Sequence, residues 1–258
     1  PKPVDKIPFL ESIHKAQFKA LPSGFKNLSA SEIEQINKDP YASPWMAQQE
    51  KGTRPASPLP YQLYADGKLS DDGQTFKIKF AAGNEVFGAS AAGSPFYVYM
   101  PEKDVAPRNY AVNAGDQLID EWALNANENY HLQVYGPNGF FREFTGNGND
   151  PAIDIALEYQ RTAAAKKALT GNVEIKLRNT GKQKITVEVS DNAYKGKAQT
   201  KIINPGAQAT LIADLSKNSG WYDLSVKVKG QKDFEKRYAG RVETGRISIT
   251  DPVMGRMV

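Results

Sequence analysis

From Tyr61 onward the chain is written in short runs of alternating apolar and polar residues, separated by Gly, Asn, Asp and Pro. In "TFKIKF", Phe76, Ile78 and Phe80 fall on one face and Lys77 and Lys79 on the other. "FYVYM", "NYAVNAG", "YHLQVYG" and "FFREF" carry the pattern on to Phe144. Period-two alternation puts successive side chains on opposite faces of a strand, and turn signals about every eight to twelve residues are those of an antiparallel β-sandwich.

The second half writes the pattern again. "NVEIKL" alternates Val173, Ile175 and Leu177 as the first copy alternates Phe76, Ile78 and Phe80. "ITVEV" follows as "FYVYM" did, and "KIINPGAQ" answers "YAVNAGDQ" with Gly206 in the place of Gly115. "GWYDLSV" answers "ENYHLQV", Tyr222 matching Tyr130. Matched positions lie roughly 90 to 97 residues apart, the length of a small sandwich and far longer than a solenoid repeat. The boundary falls between Asn147 and Pro151. One stretch is ambiguous: "IDIALEYQRTAAAKKALTG" alternates as a strand up to Gln160, and its alanine-rich remainder reads as a loop or short helical turn from Arg161 to Leu169.

The first sixty residues differ. They hold nine of the chain's sixteen prolines, a density that disfavours long helices and central strands. One helix is expected in "SASEIEQINKD", where Ser29 caps, Glu32 completes the S-x-x-E box, and Pro40 ends it. The rest reads as an extended arm. Its apolar residues, among them Ile7, Phe9, Phe18, Phe25 and Trp45, call for a partner surface, because large apolar side chains left in water forgo about 1.5–3 kcal/mol each. The whole is therefore an all-β chain: a proline-rich arm over 1–60 with one short helix, then two tandem antiparallel β-sandwich domains over 61–147 and 151–258.

Composition narrows the chemistry. A net charge of +4, with 33 basic residues spread among 29 acidic ones, lacks the clustering of a nucleic-acid binder. No cysteine is present, which removes disulfides, thiolate metal sites and cysteine nucleophiles. The opening "PKPVDKIPFLES" has no apolar segment of a signal peptide, and a first residue of Pro rather than Met leads to the expectation of a processed product or excised piece. Only His14 and His131 could serve as imidazole bases, and neither has a second ligand at metal-binding spacing. The acid clusters "DGKLSDDG" and "GNGNDP" lack the spacing of a calcium loop and fit tight turns. No catalytic, cofactor or metal residue is assigned.

What remains is the repeated hairpin. "GPNG" is a turn, with Pro suited to the first central position and Asn-Gly accepting positive φ. After it, Phe140, Arg142 and Phe144 share one face while Phe141 and Glu143 take the other; Phe234, Lys236 and Tyr238 repeat the first set. Either the aromatics pack inside a sandwich with the base near an edge, or the six form an aromatic and basic surface.

"QQEKGTRPASPLPYQLYADGKLS", "VFGASAAGSPFYVY" and "YHLQVYGPNGFFREFTGN" resemble the C-terminal portion of bacterial phosphocholine-specific phospholipases C, and the resemblance runs from the proline-rich arm to "ISITDPVMG". It implies an exported parent enzyme, periplasmic or secreted, that hydrolyses phosphatidylcholine or sphingomyelin to phosphocholine and a lipid alcohol. In that family an N-terminal catalytic domain precedes two small β-domains, and no segment here matches the catalytic part. The chain is then expected to be a non-catalytic, monomeric region whose partner is its own catalytic domain and which helps present that domain to a phosphatidylcholine surface. On that reading Phe140, Arg142, Phe144, Phe234, Lys236 and Tyr238 are candidate lipid contacts, since aromatic faces attract quaternary ammonium. The second copy lacks the Pro-Asn-Gly turn and reads "VKGQKDF", so any role of that turn belongs to the first copy. The rival reading is an independent carbohydrate- or surface-binding module, which an exposed aromatic cluster with polar partners would favour.

Overall fold

The structure, a computed structural model, describes residues 27–43, 52–125, 128–163 and 168–254. The chain divides into two units, Pro1–Glu50 and Lys51–Val258. In the first, helix α1 (Ala30–Lys38) carries the expected capping box. The Glu32 amide donates to Ser29 Oγ at 3.3 Å, and the Ser29 amide donates back to Glu32 Oε2 at 2.9 Å. The helix stops at Asp39, ahead of Pro40. The apolar residues noted above in the arm lie outside the described residues.

The second unit is all β. The first repeat supplies β1 (Pro55–Ala56), β2 (Leu63–Leu69), β3 (Thr75–Ala82), β4 (Ser94–Tyr99), β5 (Arg108–Val112), β6 (Gln117–Ala123), β7 (Tyr130–Tyr135) and β8 (Phe141–Gly146). The second supplies β9 (Ile153–Arg161), β10 (Leu169–Asn179), β11 (Ile185–Asp191), β12 (Gln199–Ile203), β13 (Gln208–Ala213), β14 (Trp221–Val228), β15 (Glu235–Arg241) and β16 (Ser248–Ile249). β9 and β10 reach into the stretch expected as a loop, leaving a connection between Arg161 and Leu169.

Each repeat packs a three-stranded sheet on a four-stranded one. β2-β3-β6 faces β5-β4-β7-β8, and β9-β10-β13 faces β12-β11-β14-β15. The alternation dictates the filling: Phe76, Ile78 and Phe80 enter one core, and Val173, Ile175 and Leu177 the other. Gly115 and Gly206 make the same turn in the two copies, at φ +88° and +71°, a region that glycine enters without steric cost. The short β1 pairs with β16, tying the entry of this unit to its end.

The four-stranded sheets are not separate. β8 pairs antiparallel with β15, so one sheet of eight strands runs through both repeats in the order β12-β11-β14-β15-β8-β7-β4-β5. In that pairing Arg142 lies opposite Tyr238, Phe144 opposite Lys236, and Glu143 opposite Arg237. Arg142 and Lys236 are equivalent positions, as are Phe144 and Tyr238. The register is therefore self-complementary, and an approximate twofold axis passes through the Glu143–Arg237 pair. Hydrogen-bonded register also corrects one match made on strings alone: Tyr97 lies opposite Tyr135 and Glu188 opposite Lys227, so Tyr97 is equivalent to Glu188 rather than to Thr186.

Candidate functional site

The repeated hairpin lies at this junction. Its turn differs from expectation, because Asn138 (φ 58°) and Gly139 (φ 71°) are the two central residues and Pro137 precedes them. The Phe140 amide donates to the Pro137 carbonyl at 3.1 Å, which closes the turn. Asn138 Nδ2 also donates to Glu243 Oε1 at 2.7 Å, so the turn of the first repeat is pinned to the second.

All six residues expected as surface contacts are buried. Phe140, Phe144, Phe234 and Tyr238 belong to the cores, and Arg142 and Lys236 are 1% and 4% exposed. Strand parity explains this: they share the face that each strand turns to its core, and the two bases are carried in with the aromatics. The role expected for them at a lipid surface gives way to a structural one. Arg142 donates to the Phe141 carbonyl at 2.8 Å, to the Ala239 carbonyl at 2.7 Å and to the Tyr222 hydroxyl at 3.1 Å. Its guanidinium also sits 4.0 Å from the Phe140 ring centroid. Lys236 reaches the other way and donates to the Gly67 carbonyl at 2.5 Å, with Phe144 as its ring neighbour. Each repeat thus sends its base into the other.

β2 and β9 belong to different sheets, and a cleft of about 490 Å³ is lined by Asp66 and Lys68 of β2, Asp154 of β9, Lys176 and Arg178 of β10, and Lys236 of β15. Burial raises the Asp66 carboxyl, opposed by Arg142, Lys236 and the Leu157 amide. Burial pulls the Lys236 ammonium down to about 8, although Asp66, Asp150 and Asp154 favour its charge. Tyr159 crosses the seam to the Leu63 carbonyl at 3.3 Å, and Lys68 meets Asp154 at 2.6 Å. These are crosslinks between repeats. Among the described residues no group of three or more His, Asp or Glu is placed to hold a metal ion.

The outer face of the eight-stranded sheet carries what the hairpin does not. Tyr97, Tyr99 and Tyr135 are exposed there, beside Phe141 and Glu143. His131 lies among them and shares Glu143 Oε1 with Gln133, at 2.8 and 2.7 Å. These tyrosines were in plain view in "FYVYM" and "YHLQVY", on the parity opposite to Phe96, Val98 and Val134. Sequence pattern alone does not single them out, because aromatics in a strand more often pack into the core.

Fold and site together define a tandem β-sandwich region fastened by reciprocal buried cations. The family model for the C-terminal domain of bacterial phospholipase C matches twice, over residues 55–147 and 153–241. The chain belongs to this family. Non-hemolytic phospholipase C of Pseudomonas aeruginosa is 33% identical over 235 residues, covering 88% of this chain and 32% of the relative. Non-hemolytic phospholipase C of Burkholderia pseudomallei is 34% identical, covering 83% and 30%, and hemolytic phospholipase C of P. aeruginosa is 34% identical, covering 80% and 30%. The chain spans about a third of the length of these relatives.

Proposed function

We propose that this chain is the non-catalytic C-terminal region of an exported, phosphocholine-specific phospholipase C. It packs on the catalytic domain of its own parent and helps present that domain to a phosphatidylcholine or sphingomyelin surface. In this reading residues 1–60 are the arm leading from the catalytic domain, and 61–147 and 151–258 are two sandwich domains acting as one body. The observation that carries it is the pairing of two C-terminal-domain repeats with a match to only 30–32% of the relatives' length. The continuous sheet supports the rigid-body part, because crosslinks such as Lys236 to Gly67 leave little freedom between the repeats.

The test has two arms. The purified 258-residue chain is assayed on p-nitrophenyl-phosphorylcholine and on phosphatidylcholine vesicles, and no turnover above blank is expected on either. The parent enzyme is then compared with a form lacking residues 51–258. Loss on vesicles with turnover kept on the soluble substrate supports presentation to lipid. Equal loss on both would reduce the region to a stabiliser of its neighbour, and turnover by the isolated chain would end the non-catalytic reading.

A further inference from the structure

Four aromatic side chains crowd one patch on the solvent face of the eight-stranded sheet. Tyr97 lies opposite Tyr135 in the β4–β7 pair, and Tyr135 opposite Phe141 in the β7–β8 pair. Tyr99 joins them, its ring 5.5 Å from that of Tyr135 at 86°, while Tyr135 and Phe141 are 5.0 Å apart at 56°. Tyr97, Tyr99 and Tyr135 are 40–42% exposed.

The second repeat shows that the fold does not need these rings. Through the paired registers Tyr97 corresponds to Glu188, Tyr99 to Ser190, Tyr135 to Lys227 and Phe141 to Glu235. The same four strands form there with polar or charged residues at all four places. An aromatic cluster private to one copy, on the face turned away from the core, is a surface for something else.

Its surroundings identify the chemistry. Gln133 Nε2 donates to Glu143 Oε1 at 2.7 Å, and the Tyr135 hydroxyl donates to Gln133 Oε1 at 3.0 Å. Arg237 lies 5.5 Å from the Phe141 ring centroid and donates to both Asp223 oxygens, at 2.8 and 2.6 Å. One guanidinium between the carboxylates of Asp223 and Glu143 leaves the patch weakly acidic, which disfavours anionic lipids and anionic polysaccharides. Tyr99 and Tyr135 meet edge to face and Tyr135 and Phe141 tilt together, so the rings form one continuous patch with the bonded Gln133–Glu143 pair beside it.

We propose that this face binds the pyranose rings of an uncharged glycan. The C–H groups of a sugar carry slight positive charge and rest on the electron-rich ring faces of the tyrosines. Its hydroxyls meet the Gln133, His131, Glu143 and Arg237 groups at the edge, the usual division between apolar contact and orienting polar groups. This inference is independent of the lipid reading above.

The experiment is affinity electrophoresis of the 258-residue chain through gels containing amylose, xyloglucan or galactomannan, with a pull-down on chitin. At least one of these should hold the wild-type chain. Tyr97→Ala combined with Tyr135→Ala should weaken that binding about tenfold or more, as loss of two stacking faces implies. The polar equivalents Glu188→Ala and Lys227→Ala should leave it unchanged. The tyrosines lie outside the cores, and a circular-dichroism melt checks that the double variant is folded. The proposal is overturned by failure of the wild type to bind any of the four polysaccharides. It is equally overturned by binding to phosphatidylcholine vesicles that the tyrosine variants abolish, which would make the face a lipid contact.

Discussion

Lys236 gives the seam between the repeats a measurable pH signature. Its ammonium is buried, bonded to the Gly67 carbonyl, and held down to about 8 mainly by the cost of burial. In the unfolded chain a lysine titrates at about 10.4. Between these values the unfolded chain binds a proton that the folded chain lacks. Stability therefore rises with pH through this window, and the contribution is smallest below the folded value. The full span is worth about 3 kcal/mol, and the part between pH 7.5 and pH 9.5 about 2 kcal/mol.

Lys236→Met removes the titrating group while keeping a long, flexible side chain. The assay is urea unfolding followed by tryptophan fluorescence, for both proteins at several pH values across that range. Tyrosines such as the buried Tyr130 and the half-buried Tyr194, whose hydroxyls are held protonated longer in the fold, pull the other way as pH approaches 10. They are common to both proteins and cancel in the comparison. The wild type should gain about 2 kcal/mol on the variant from the lower to the higher pH, whatever the offset between them. Lys236→Arg, which stays charged throughout, should run parallel to the methionine variant. Parallel curves for wild type and Lys236→Met would refute the argument, because the lysine would then titrate normally in the fold.

Three further outcomes follow from the same seam. Gly67→Ala should destabilise the chain by about 1–3 kcal/mol in urea melts, since a Cβ there would sit 2.6 Å from the Phe76 ring. Asn138→Ala should cost about 1–3 kcal/mol by the same measurement, because it strips a hydrogen bond from Glu243, a carboxylate 1% exposed. Glu143→Arg places like charges opposite one another at Arg237 and should cost up to about 1 kcal/mol at low salt, less at high salt.

Much of this architecture could be read from residue order. Alternation located most strands, the paired strings announced the duplication, and Ser29 with Glu32 announced the helix. The inward side of the hairpin was legible too, because Arg142 shares parity with Phe140 and Phe144. What obscured the burial of both bases is that arginine and lysine are rarely buried, a tendency that holds for isolated chains of residues and fails where two cores meet. The meeting itself was not legible. Period two says which face of β8 looks inward, but nothing local says that its free edge joins β15. Nor could strings fix the true equivalence of β4 and β11, since a shift of two residues preserves alternation and only cross-strand pairing distinguishes the two alignments.

The repeat is best understood from its axis. If two first repeats met through β8 in the observed register, Glu143 would face Glu143; two second repeats meeting through β15 would set Arg237 against Arg237. Only the pairing of unlike copies puts opposite charges across the strands. The same asymmetry serves the buried layer. Arg142 finds the Tyr222 hydroxyl and the Ala239 carbonyl, both in the second repeat, while Lys236 finds Gly67, whose missing side chain leaves room for the Phe76 ring beneath it. In β9 the position that answers Gly67 is Leu157, by register against Ile78 and Ile175, so the second copy carries a side chain where the first leaves space for a ring. Divergence at 143 and 237, at 142 and 236, and at 67 and 157 thus turns a self-complementary edge into one that selects its partner within the same chain. The free edges β5 and β12 are left at the far ends of the sheet, and the outer face of the first repeat is left open with its tyrosines.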